Sequence, residues 1–108
     1  SWGTSANAPD WLPAYPGAQG QAVMSGTDQS GARGTFTFSS KDSVDQIVTF
    51  YEKELPGKGY KVERTMSTRQ GAMRMEVLTG TATGRTLRLS VVSNEPNQTA
   101  VTAAWEGK

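Results

Sequence analysis

The residue types that most often carry acid–base, nucleophilic or zinc chemistry are missing from this sequence. It has no histidine and no cysteine, so the commonest general base, the thiol nucleophile and the usual zinc ligands are absent. Carboxylates remain, and two close pairs stand near the middle of the chain, Asp42 with Asp45 and Glu52 with Glu54. Because paired carboxylates can divide the acid and base roles of a hydrolysis, a hydrolase is the enzyme class left to weigh.

A helical pattern around these carboxylates assigns them structural roles instead. Apolar side chains recur at helical spacing between residues 44 and 55 and form one stripe: Val44, Ile47, Val48, Tyr51 and Leu55. Asp42 or Ser43 can cap the start of this helix, and Pro56 ends it. Asp45 and the two glutamates fall off the stripe, on the side that water should reach. We therefore expect no catalytic residue and no metal-binding residue.

Two other motifs have partial likenesses to nucleotide-binding sequences. Residues 80–86, GTATGRT, separate their glycines by three residues instead of four, carry Arg in place of Lys and precede a strand, which is typical of a hairpin turn. Residues 33–38, RGTFTF, resemble part of the aromatic strand of RNA-recognition domains. The chain, however, has one predicted helix and a formal net charge of only +1, too little to attract phosphate backbones. We expect no nucleic-acid partner and no cofactor.

Alternation of apolar and polar residues predicts the strands that must surround the helix. Two strands precede it, at residues 21–27 and 34–39, and four follow it, at residues 60–66, 72–79, 85–93 and 99–105. The predicted order is ββαββββ, an α+β domain with one helix packed across one face of an antiparallel sheet of five to six strands. Residues 1–10 are expected to form a flexible lead-in or linker, and residues 11–108 the single domain.

The later strands alternate charged residues with methionines and other apolar residues. We expect the charged positions to share the outer, solvated face of the sheet: Lys61, Glu63, Arg74, Glu76 and Arg88. The four methionines are expected to fill gaps in the core: Met24, Met66, Met73 and Met75. If the helix does not cover them, they would form an apolar patch of the kind that marks a partner site.

A set of short motifs resembles those of small exported bacterial envelope and lipoprotein-type domains, whose pattern is P-x-YPGA … F-x-[TS]-x-D-S-V … FY-x-x-x-L … G[YW]. The matching stretches are residues 12–18 (LPAYPGA), 36–38 (FTF), 42–44 (DSV), 50–51 (FY), Leu55 and residues 59–60 (GY). The resemblance covers roughly residues 12–89. It implies an extracytoplasmic location, in the periplasm or cell envelope, and a non-enzymatic role. Since the sequence begins at Ser1 without Met, we expect that an N-terminal targeting segment is missing, and the resemblance implies that such a segment tethers the domain near a membrane.

The sequence thus predicts a non-catalytic extracytoplasmic binding or protein-interaction domain, with a protein or small molecule of unknown identity as its partner. Two alternatives remain beside the hydrolase. One is a carrier that holds a small apolar ligand between helix and sheet. The other is a homodimer formed through the open sheet face or an edge strand such as residues 99–105. The side chains selected as ligand or partner contacts are Tyr15, Tyr51, Tyr60, Met73, Met75, Arg74 and Arg88.

Overall fold

The computed structural model describes residues 2–5, 12–13, 15–28 and 31–107. Within these ranges the chain forms one antiparallel sheet of seven strands and one α-helix. The strands are β1 (Trp2–Ser5), β2 (Gln19–Asp28), β3 (Gly31–Ser40), β4 (Lys61–Gln70), β5 (Met73–Ala82), β6 (Arg85–Glu95) and β7 (Gln98–Gly107). The helix α1 (Val44–Glu54) lies between β3 and β4 and is followed by a short 3-10 turn, Pro56–Lys58.

The predicted α+β fold is confirmed, with one strand added. From β2 onward the order is ββαββββ, as the sequence predicts. Strand β1 extends the sheet by pairing with β2, from Trp2 opposite Gly26 to Ser5 opposite Val23. The sequence predicts a flexible lead-in here, because four residues are too few to show a reliable alternation. Residue 1 and residues 6–10, the rest of the predicted lead-in, lie outside the described residues.

The strand order corrects one prediction about the edges of the sheet. The strands lie in the order β1-β2-β3-β7-β6-β5-β4, so β7 is central and pairs with both β3 and β6. The expectation that residues 99–105 form an edge strand is wrong. Helix α1 carries the chain from β3 to the far edge, and β4 to β7 then return as a meander that ends against β3. The strands at the two edges are β1 and β4.

Helix α1 begins at a capping box. The side chain of Ser43 accepts a hydrogen bond from the backbone N–H of Gln46 at 3.2 Å, and the Gln46 side chain accepts one from the Ser43 N–H at 3.0 Å. Ser43 is therefore the cap, and Asp42 is not. The helix gives way to the turn at Pro56, and Gly59 adopts the left-handed backbone conformation (φ 93°) that a glycine accepts without strain.

The hydrophobic core fills the space between α1 and one side of the sheet, which we call the helix-facing side. The predicted helical stripe is buried there, with Ile47, Tyr51 and Leu55 fully enclosed. The sheet contributes alternate residues of β3, β5, β6 and β7: Phe36, Phe38, Leu78, Leu87, Leu89, Val91, Val101 and Ala103. Burial of each large side chain contributes about 1.5–3 kcal/mol. This side of the sheet and the helix therefore hold each other in place.

The opposite side of the sheet, the open side, carries the residues that alternate with this core. In β5 the pairing places Glu76 opposite Val91 and Val77 opposite Ser90, so the glutamate points to the helix and the valine to the open side. Arg74 also falls on the helix-facing side. The prediction that Arg74 and Glu76 share the solvated outer face is wrong. On the helix-facing side, Arg74 pairs with an acidic side chain of the helix and Glu76 pairs with an arginine of β4, so both charges are compensated there. Lys61, Glu63 and Arg88 lie on the open side as predicted.

The methionines are also placed differently from the prediction. By register all four lie on the open side, where Met24 is 54% and Met66 is 43% exposed. They do not fill the core beneath the helix. A bulge between Arg64 and Met66 in β4 contributes to this, because an extra residue there changes which residues of that strand face the helix. The methionines therefore follow the alternative expectation: they lie on the side of the sheet that the helix does not cover.

Candidate binding groove

The open side of the sheet contains a groove of about 760 Å³. It crosses the sheet from β2 and β3 through β7, β6 and β5 to β4. Its apolar lining includes both exposed methionines, Met24 and Met66, together with Ala104. Threonines supply much of the remainder: Thr35, Thr65, Thr79 and Thr86. The volume lies within the range of about 300–1,000 Å³ that is typical of small-molecule pockets, so the groove is the candidate site.

The pairing of the strands aligns the centre of the groove into one row of side chains. Met24 is opposite Thr35, Thr35 is opposite Ala104, Ala104 is opposite Arg88, and Arg88 is opposite Thr79. Neighbouring strands are separated by about 4.8 Å, so Met24 and Arg88 begin roughly 14 Å apart. The groove thus presents an apolar group near one edge of the sheet and a cationic group near its middle.

Charge in the groove comes from Arg88, Arg33 and Glu106. Arg33 and Glu106 are directly opposite each other on β3 and β7, one row away from Arg88. Two cationic groups and one anionic group leave the lining with a formal charge of +1. The charged groups occupy the middle and one end of the groove, and the methionines occupy its two lateral margins.

Aromatic side chains fill part of the space between helix and sheet, where the carrier alternative places an apolar ligand. The Tyr15 ring lies 5.7 Å from Phe38 and 4.9 Å from Phe50, and Tyr51 is 5.1 Å from Phe50. The Tyr15 hydroxyl donates a hydrogen bond of 2.5 Å to Asp42. Burial, followed by this bond and the carboxylate's charge, raises the pKa of Tyr15 to about 12. These rings pack against one another, and the groove lies on the other side of the sheet.

Tyr60 closes the core at the far end of the helix. It is 4% exposed, and burial raises the pKa of its hydroxyl. Its ring lies so close to the backbone of β5 that a Cβ atom at Gly80 would approach ring carbon Cδ1 to 3.1 Å. Glycine at position 80 therefore allows this tyrosine to seal the space between helix and sheet.

An ion-pair network connects α1 to β4 and β5. Arg64 contacts Glu52 of the helix at 3.0 Å and Glu76 at 3.1 Å. Arg74 contacts Asp45 of the helix at 2.8 Å and approaches Glu76 to 3.7 Å. The hydrogen bond from Arg74 lowers the pKa of Asp45. Glu76 is only 1% exposed, so this network joins the helix to the sheet around a buried carboxylate.

The carboxylates that the sequence analysis weighed for hydrolysis all have structural partners or lie on the helix surface. Asp42 accepts from Tyr15 through its side chain and from the Thr99 hydroxyl through its backbone carbonyl, at 2.7 Å. Asp45 and Glu52 are bound by arginines, and Glu54 is exposed. Among the described residues no group of three or more His, Cys, Asp or Glu side chains is arranged to hold a metal ion.

The structure does not bring the seven predicted contact residues together. The three tyrosines and Arg74 lie on the helix-facing side, whereas Met73, Met75 and Arg88 lie on the open side. Of the seven, Arg88 lines the groove. Met24, Met66 and Ala104, which also line the groove, are not among the contacts predicted from the sequence. For the two methionines, the sequence offered the alternative of an exposed apolar patch, but a role in the core was the first expectation.

Comparison with known proteins gives one match. The model of the family described as START domain-like matches residues 21–102, which run from β2 into β7 and include the helix and most of the groove. No curated protein and no solved structure matches the chain significantly. In the part of the chain that the structure describes, no helix has both the length and the apolar character needed to span a membrane. Since the family match covers most of the sequence, the chain belongs to the START domain-like family.

Proposed function

We propose that this chain is a non-catalytic binding domain that holds a small molecule with an apolar body in the groove on its open side. The observation that carries the proposal is the groove itself, about 760 Å³ in volume and bounded by two exposed methionines. Membership of the START domain-like family agrees with a ligand-binding role.

The side chains at the margins of the groove favour an apolar ligand. Met24 and Met66 are long, flexible and polarizable, so they can adjust to ligands of different shape. Ala104 lies between them on the floor of the groove, and its single methyl group leaves space for a ligand above it. Solvent-exposed apolar surface gains about 25 cal/mol for each Å² that a ligand removes from water. Binding in the groove would therefore stabilise the one side of the sheet that the helix leaves uncovered.

The non-catalytic part of the proposal rests on the chemistry of the groove. Its polar lining consists of threonines, arginines and Glu106, and the chain has no histidine or cysteine to act as base or nucleophile. A lone glutamate beside an arginine lacks the second carboxylate that acid–base hydrolysis normally uses. Turnover of a substrate by the purified domain that disappears in Glu106→Gln would overturn this part.

The extracytoplasmic location and the membrane tether are proposed on the resemblance of roughly residues 12–89 to exported envelope domains. Both can be tested on the full-length gene product. On cell fractionation, the full-length protein should be found in the same fraction as a periplasmic or envelope marker protein. It should also become accessible to added protease once the outer layer of the envelope is permeabilised. Co-fractionation with a cytoplasmic enzyme would contradict the proposed location and would leave the proposal of a binding groove unaffected.

The groove can be tested by filling it. In Ala104→Trp a large ring replaces the methyl group at the centre of the row, on an exposed position that does not contribute to the core. We expect the affinity for N-phenyl-1-naphthylamine, a neutral apolar fluorescent probe, to fall at least about tenfold. Ala100→Trp is the matched control, since Ala100 is exposed on the same strand and the same side, but outside the groove.

The outcomes distinguish the proposal from its alternatives. Retained affinity in Ala104→Trp, or equal loss in both variants, would show that the probe binds elsewhere, including between helix and sheet. Thermal unfolding of both variants checks that each is folded. If sedimentation instead shows a dimer that Ala104→Trp dissociates and Ala100→Trp preserves, the groove joins two copies of the chain and the small-molecule proposal is wrong.

A further inference from the structure

Arg88 differs from the arginines on the helix-facing side of the sheet. Arg64 and Arg74 each contact carboxylates of α1 or β5 at 2.8–3.1 Å. Arg88 is exposed on the floor of the groove and makes no ion pair with any carboxylate of the described residues. The other charged residues of the groove, Arg33 and Glu106, lie in the adjacent row, and Arg88 has no evident structural task. Its charge is available to whatever occupies the groove.

We infer that the ligand of the groove is a carboxylic acid with an apolar chain, whose carboxylate pairs with Arg88 while the chain runs toward Met24. The inference rests on the proposed function and specifies the chemical class of its ligand. A guanidinium presents two parallel N–H donors that match the two oxygens of a carboxylate. Thr79, directly opposite Arg88, places a hydroxyl group at the same position, 3.1 Å from the hydroxyl of Thr65.

The row of side chains sets the direction of the apolar chain. From Arg88 it passes Ala104 and Thr35 and reaches Met24, a span of roughly 14 Å across three strand spacings. Ala104 and the methyl group of Thr35 present apolar surface, and Met24 is the exposed apolar end. In the other direction the row reaches Thr79 and then Glu63, which would repel a carboxylate. The acid group is therefore held at Arg88 and its chain points toward β2.

Charges around Arg88 favour a carboxylate over a phosphate ester. Glu63 continues the same row, whereas in the adjacent row Glu106 is directly opposite Arg33, so that these two charges offset each other. Each added negative charge on a ligand is repelled by Glu63. A single charge is compensated by Arg88, but the second charge of a phosphate monoester has no further cation in the row. The groove should thus discriminate by charge as well as by the presence of an acid.

The experiment measures displacement of N-phenyl-1-naphthylamine by three ligands with the same chain: decanoate, decanol and decyl phosphate, each below its aggregation concentration at pH 8. Three variants accompany the unmodified protein. Arg88→Gln removes the charge, Arg88→Lys keeps it without the two-pronged geometry, and Arg69→Gln removes an exposed arginine of β4 outside the groove. Arg69→Gln therefore controls for the change in net charge.

We expect decanoate to bind about tenfold more tightly than decanol, as a charge-assisted hydrogen-bonded pair allows. Arg88→Gln should abolish that preference and leave decanol binding unchanged, Arg88→Lys should retain part of it, and Arg69→Gln all of it. A preference that survives in Arg88→Gln, or tighter binding of decyl phosphate than of decanoate, overturns the inference. If decanol still binds and Ala104→Trp still blocks it, the proposed function stands; if none of the three displaces the probe, both fail.

Discussion

The two sides of the sheet differ in how they treat the same kinds of residue. On the helix-facing side, charged and aromatic groups are paired: Arg64 and Arg74 bind carboxylates, and Tyr15 binds Asp42. On the open side, Arg88 has no ionic partner among the described residues, and Met24 and Met66 are exposed. Paired groups on the first side hold the fold together. Unpaired groups on the second side contribute little to stability, which leaves them available for binding.

The largest expected effect separates the two sides by truncation of one apolar residue on each. Leu89 is fully buried beneath the helix, and Met24 is 54% exposed on the open side. Leu89→Ala should lower the free energy of unfolding by about 3 kcal/mol, since it removes a buried side chain and leaves a cavity. Met24→Ala should change it by less than about 0.5 kcal/mol.

Urea unfolding followed by far-UV circular dichroism measures both variants. The same Met24→Ala protein should bind N-phenyl-1-naphthylamine less tightly, although its stability is retained. A cost for Met24→Ala close to that of Leu89→Ala would remove the distinction between a structural side and a binding side.

The sequence predicts the elements of this fold better than their arrangement. Alternation in residues 34–39 and the apolar stripe of residues 44–55 are local patterns, so β3 and α1 were foreseeable with their buried faces. Strand order depends on pairing between residues far apart in sequence. These pairings place β7 at the centre of the sheet. The pattern of residues 99–105 does not distinguish a central strand from an edge strand.

The site was less predictable, for reasons that β5 illustrates. Glu76, Val77 and Leu78 are consecutive and all buried, so this strand is covered on both sides and its alternation does not show which side faces the helix. Methionines are usual core residues, which favoured the wrong side for Met73 and Met75. The groove also depends on the shape of the sheet as a whole, which no single strand pattern encodes. Arg88 was predictable because it alternates with Leu87 and Leu89, which places it on the side of the sheet away from the core.

A second, smaller effect compares one glutamate from each side. Glu76 is buried between Arg64 and Arg74, whereas Glu63 is exposed on the open side. Glu76→Gln should cost about 2 kcal/mol, because it removes the charge on which both arginines converge; the partial exposure of those arginines keeps the loss below that of a fully buried pair. Glu63→Gln should cost less than about 0.5 kcal/mol. Equal urea midpoints for the two variants would show that the ion-pair network does not stabilise the docked helix.

The smallest effect uses pH to separate the sides, since all three tyrosines of the chain lie on the helix-facing side. The pKa of Tyr15 is raised from 10.0 to about 12 in the folded protein, and burial raises the pKa of Tyr51 and Tyr60 as well. A raised pKa means that the folded state holds the proton more firmly than the unfolded state. Its contribution to stability is therefore complete below pH 10 and is lost as the pH rises from 10 to 12.

The variant Tyr15→Phe measures how much Tyr15 contributes to this loss of stability at high pH. At pH 8 the variant should be less stable by about 1 kcal/mol, because the hydrogen bond to Asp42 is gone and the carboxylate loses a partner. Above pH 10 its stability should fall less steeply than that of the unmodified protein, since one raised tyrosine no longer titrates. Urea midpoints at intervals from pH 8 to 12 give both slopes. Parallel curves would mean that Tyr15 gives up its proton equally in both states, and that the contact between residues 12–18 and the start of α1 does not depend on the hydroxyl.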